Sequence, residues 1–193
     1  MNPAVIHSPR ELVSEDAWEQ RKAFVGFGPA DEEILRELRP VALYYADEVM
    51  DELYARWLQF PELRRFFTDD SVLGRVKALQ RQYFISLTGG EYGAGYLACR
   101  LQVGTVHERI GVAPEWFMGG YGIYLELILP RVLRAFEYNR IKQARAVTAL
   151  TKLITLDQQL ALVAYFDRAT LKPDWQGLAS EAQRLPPMPH CGD

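Results

Sequence analysis

Apolar residues recur every three or four positions along most of the chain, and no stretch of useful length alternates strictly between apolar and polar. A period near 3.6 sets such residues on one stripe of a helix, so the pattern predicts an all-α fold. The first periodic run, SEDAWEQRKAF at 14–24, has Ser14 placed to cap it, and GFGP at 26–29 closes it. From Ala30 to Leu58 the period continues across Pro40. Proline lacks the N–H that the helical ladder needs, so one helix should stop there and another begin with proline in its first turn. Phe60-Pro61 marks a corner, PELRRFF a short helix, and TDDS the cap of a helix over 71–87, which Thr88-Gly89-Gly90 ends.

The second half reads as three longer helices: Glu91 to Arg109, Pro114 to about Phe136, and Ile141 to Thr170. Pro130 should bend the middle one. In the last, Val147, Leu150, Leu153, Ile154, Leu156, Leu160 and Val163 cover more than one face, which predicts neighbours on several sides. Residues 1–13 read as an N-terminal extension and 173–193, where prolines gather and the period is lost, as a flexible tail.

At 193 residues the chain suits one domain, burying roughly 70% of its unfolded surface. A formal charge of -3 provides no basic footprint for a phosphate backbone, which argues against nucleic acid as a partner. Charges break the apolar runs well short of a membrane span, and MNPAVIHSPREL does not read as a signal segment, so a soluble cytoplasmic protein is expected. Cys99 and Cys191 are too few for a disulfide framework and form no zinc spacing; Cys99 is expected to be buried on its helix.

His107 is the one histidine far from both ends, and it closes an apolar helical run just before a turn. Three roles compete for it. A histidine near a helix C-terminus is favoured by the helix dipole alone. A general base would need a partner at set geometry, and the adjacent Glu108 points elsewhere on a helix. An axial ligand to haem iron would need a neutral imidazole and a flat apolar slot, which Val103, Val106, Ile110, Val112 and Trp116 could line.

Three stretches carry a resemblance: DELYARW at 51–57, HERIGVAPEWFMGGY at 107–121 and TKLITLDQQLALVAYF at 151–166. Together, in this order and spacing, they resemble the sensor globins, which comprise globin-coupled sensors and single-domain sensor globins. The resemblance covers about residues 14–170. It implies a globin fold, a 3-over-3 helical sandwich, with an extra N-terminal helix and little or no helix between the second corner and the fifth helix. It implies haem b as cofactor, His107 as the proximal iron ligand, and Tyr54 as the donor to a bound diatomic gas (O2, CO or NO). Phe67 should pack on the porphyrin, and Val76, Leu79 and Gln80 should face it from the distal helix, Gln80 as a weaker second donor. Phe117 stands where relatives have tyrosine. Tyr44 and Tyr45 are expected to be packing residues.

The family also implies a homodimer through the last two long helices and a signalling partner or transmitter domain outside this chain. The Pro-rich ending favours a single-domain sensor over the sensor part of a longer protein. Two other functions fit the residues less well. A haem enzyme removing nitric oxide or peroxide would lack a reductase domain and an obvious base. A cofactor-free globin-fold interaction module would have no need of His107.

Overall fold

The computed structural model describes residues 13–165, so the expected N-terminal extension, the tail and the end of the last helix lie outside the described residues. Eight helices and no strand occupy the described residues: α1 Glu15–Phe24, α2 Pro29–Glu37, α3 Arg39–Trp57, α4 Pro61–Arg64, α5 Asp70–Ser86, α6 Ala94–Ile110, α7 Pro114–Ala135 and α8 Arg140–Tyr165.

Local chemistry sets most boundaries. The Ser14 hydroxyl accepts from the Ala17 N–H and Asp69 accepts from Val72 N–H, capping α1 and α5. Prolines open α2, α3, α4 and α7, where a missing N–H costs nothing. α7 continues through Pro130 as one helix, and Arg131 donates to the nearby Leu127 carbonyl at 2.5 Å. α6 starts at Ala94, three residues later than its pattern predicts. Tyr92 is held there by tertiary bonds instead, its hydroxyl donating to the Leu87 carbonyl and its own carbonyl accepting from Trp18 Nε1, both at 2.8 Å.

α8 is the hub. It packs against α6, α2 and α7, which is why its apolar residues spread around the helix, with Leu150, Leu153, Ile154, Leu156 and Leu160 all buried. α3 joins the other half, packing on both α5 and α7. α1 is pinned by Trp18, which is 1% exposed and stacks on Tyr96 of α6 at 6.2 Å.

α5 and α6 share no extensive packing. They touch where Arg100 of α6 donates to Ser86 of α5 at 2.6 Å. Away from that junction α5 leaves its apolar stripe half covered: Phe84 is its one buried residue in 17, while Leu79 stays 64% exposed. On α6, Val106 and Ile110 are likewise 44% and 50% exposed.

Candidate functional site

His107 sits in the last turn of α6. Its Nδ1 lies 2.8 Å from the Val103 carbonyl. A carbonyl only accepts, so Nδ1 carries the proton and Nε2 keeps a free lone pair. Burial pulls the imidazole pKa below its ordinary value, partly offset by the Val103 bond, which keeps the ring neutral. Gly111 then ends the helix in the left-handed conformation at φ 79°, with Val112 N–H bonding back to the His107 carbonyl at 3.0 Å. The turn is short because Pro114 opens α7 at once, and it brings Phe117 against His107 with ring centroids 4.4 Å apart. Tyr165 of α8 secures the turn by donating to the Val112 carbonyl at 3.0 Å.

On the α3 side, Tyr54 is 3% exposed and its hydroxyl has no hydrogen-bond partner among protein groups. Burial pushes that phenol well above its ordinary pKa, so it stays a protonated donor. An orphaned buried hydroxyl costs about 1–3 kcal/mol, a cost that phenylalanine would avoid. The ring is fixed by Trp57 at 5.3 Å and by Phe67 at 5.5 Å. Val76 and Gln80 are half-buried on α5.

Other sequence candidates fall elsewhere in the region. Val103 serves through its carbonyl, and Val112 is buried beside the turn. Trp116 pairs with Phe60 of the α3–α4 corner at 5.3 Å, so the ring against the imidazole is that of Phe117. Tyr44 is 80% exposed, while Tyr45 is half-buried beneath the Arg131 guanidinium. Cys99 is exposed, contrary to the expectation of burial, because the α6 face buried against α8 carries Tyr96, Leu97, Arg100 and Leu101 instead.

Two features escaped the sequence. Tyr124 of α7 has a second buried hydroxyl without a partner. A closed polar cluster also seals the α5–α6 junction, where Asp157 of α8 accepts from Tyr83 at 2.8 Å, Tyr96 at 2.7 Å and Arg100 at 3.0 Å. Asp157 lies within the quoted 151–166 stretch, but its partners lie 57 to 74 positions away.

These features fit haem. Among the described residues no group of three His, Cys, Asp or Glu side chains could hold a metal ion, so one imidazole could hold iron here only if a macrocycle supplies most of the other ligands. The free Nε2 of a neutral imidazole has the chemistry of an axial iron ligand, and the unpartnered Tyr54 hydroxyl that of a hydrogen-bond donor. A separate cavity of about 20 Å³ between α3, α5, α7 and α8 is far too small for such a group.

The protoglobin family profile matches residues 14–170. The chain belongs to the protoglobin family. Its resemblance to sensor globins is borne out by a 26% identity over 163 residues with the heme-based aerotactic transducer HemAT of Halobacterium salinarum. That match covers 80% of this chain and 33% of HemAT, so this protoglobin chain spans about a third of its relative. Among solved structures, the globin domain of the Geobacter sulfurreducens globin-coupled sensor superposes with a TM-score of 0.74 at 23% identity. It covers 77% of this chain and 97% of that domain, which shows the globin fold.

Proposed function

We propose that this protoglobin is a haem-based sensor that binds oxygen reversibly, and carbon monoxide and nitric oxide at the same place. The observation that carries the reading is a neutral His107 with a free Nε2 at the end of α6, in a chain whose α3 holds a buried Tyr54 hydroxyl without a protein partner. His107 would hold the iron from α6. Haem would supply the metal site at which a diatomic gas is taken up.

The chain's own residues do the rest. The Val103 carbonyl fixes the imidazole tautomer and adds electron density to the ring. Phe117 sets the ring plane. Tyr54 would offer a hydrogen bond to a polar gas, worth about 1 kcal/mol, or up to about 3 when charge-assisted. Phe67, Val76, Leu79, Val103, Val112 and Trp116 would enclose the porphyrin, with Gln80 a weaker polar neighbour. The haem is proposed to be type b, since the only two cysteines, Cys99 and Cys191, cannot form a covalent attachment motif.

The signal is proposed to leave through α7 and α8 of a homodimer. Leu133 and Ile141, 44% and 75% exposed near the α7–α8 turn, support such an interface. A transmitter domain or separate partner would receive it, as both relatives are named for transduction or sensing rather than for an enzyme activity. Among the described residues no helix is long and apolar enough to cross a membrane, which is compatible with the proposed cytoplasmic location.

The test is the visible spectrum of the purified chain. Haem uptake with a Soret band that shifts on reduction, on oxygen and on carbon monoxide supports the reading. No band after haem addition refutes it.

A further inference from the structure

Tyr124 stands on α7, where that helix meets α3 and α5. Its ring packs on Tyr83 at 5.8 Å and Phe84 at 6.5 Å, and the residue is 3% exposed. Its hydroxyl is wholly buried and has no partner among protein groups. The Gln80 side chain approaches it without closing a hydrogen bond. α7 packs on α3 here: Trp57 comes within 3.3 Å of where a Cβ on Gly120 would lie, and Arg56 pairs with Glu126 at 2.6 Å. Tyr54 and Tyr124 stand within about one turn of those residues, so two orphaned buried hydroxyls from two helices line one seam. Phenylalanine at either position would keep the packing and remove the orphan, so packing alone does not account for the hydroxyls.

A phenol has one proton to give and lone pairs that accept. Tyr54 alone is free to aim its proton toward the gas or away from it, by rotation about its C–O bond. If its oxygen accepts from Tyr124 across one water, its own proton is left for the gas. Trp57 and Phe67 hold the Tyr54 ring, so the proton direction is the one remaining freedom. We infer that Tyr124 is a positioning residue of the gas site, which acts through Tyr54, with Gln80 beside it, to favour polar gases over carbon monoxide. The inference rests on reading His107 and Tyr54 as residues of a haem site.

The experiment uses the haem-loaded chain and four variants of one double-mutant cycle: unsubstituted, Y54F, Y124F and both. Y124F should keep its Soret band and melt no lower than the parent, because an orphaned hydroxyl has gone. It should release oxygen about threefold to tenfold faster, the scale of one weakened hydrogen bond. Carbon monoxide release should change less than about twofold, and the C–O stretching band of the carbon monoxide complex should shift or broaden. In the Y54F background, Y124F should add almost nothing, the mark of action through Tyr54. Unchanged oxygen release in Y124F with an intact Soret band would overturn the inference, as would full additivity with Y54F. Failure of the unsubstituted chain to bind haem would instead overturn the functional reading beneath it.

Discussion

Two buried polar clusters flank Tyr83 of α5, and they differ in one respect that separates architecture from function. At the junction with α6 and α8, Asp157 receives Tyr83, Tyr96 and Arg100, while Arg100 also donates to Ser86 and lies over the Tyr83 and Tyr96 rings at 4.3 and 4.1 Å. The ionic and hydroxyl groups of that cluster have found each other. On its other side the Tyr83 ring packs against Tyr124, whose hydroxyl, like that of Tyr54, has no protein partner, and the His107 Nε2 lone pair is also free. Both sets of groups are buried and both are polar. The closed one fixes three helices together, whereas the open one is what a ligand would complete.

The largest effect should come from opening the closed cluster. Burial raises the Asp157 carboxyl pKa against the pull of Arg100 and two phenols, so its charge is tolerated only because the partners are in place. Asp157→Ala would strand the Arg100 cation, 3% exposed, and should cost about 3–5 kcal/mol in urea unfolding. Arg100→Met with Asp157→Leu, removing both charges, should recover most of that loss. If the single substitution costs under about 1 kcal/mol, the cluster is not the tie described. The converse holds for the open side: His107→Ala should leave helix content and unfolding of the haem-free chain nearly unchanged, yet abolish the Soret band. A retained band with normal carbon monoxide response would remove His107 from the iron.

Gly111 tests how His107 is aimed. It has φ 79°, and a methyl group built there meets nothing within 4 Å, so the cost of Gly111→Ala is backbone strain alone, about 1–2 kcal/mol by thermal unfolding. Since this residue closes the helix four positions after His107 and leads to Phe117, haem affinity should fall as well. A substitution that lowers stability but leaves haem affinity intact would show that the turn only caps the helix.

The contrast also explains what was legible in the residues. Boundaries written in local chemistry were readable: Ser14 as a cap, and Pro40, Pro61 and Pro114 at helix starts. His107 was readable as a candidate because few histidines compete with it. Its choice as ligand over helix-end residue came from the family resemblance. The Arg100–Asp157 tie was not readable, since a charged residue on a helix reads as solvent-facing until its partner, 57 positions on, is known. Tyr124 was invisible for a similar reason. With ten tyrosines in the chain, which hydroxyl lacks a partner is decided by packing between helices and not by spacing along one. The start of α6 was misplaced because Trp18 and Leu87, remote or outside the helix, hold Tyr92 out of it.

The smallest effect on the protein itself, and the sharpest on the gas, should come from Tyr54→Phe. In the closed cluster, deleting a phenol removes a bond: Tyr96→Phe leaves Asp157 one donor short and should cost about 1–2 kcal/mol. Deleting the Tyr54 hydroxyl removes no protein bond, so stability of the haem-free chain should hold within about 1 kcal/mol or rise. With haem bound, the same substitution should speed oxygen release about fivefold to a hundredfold, the equivalent of one hydrogen bond, while carbon monoxide release changes little. Stopped-flow displacement of oxygen by carbon monoxide reads both rates in one preparation. Equal acceleration of the two gases would mean that Tyr54 acts as a wall; acceleration of oxygen alone, with unfolding unaltered, is what an orphaned donor predicts.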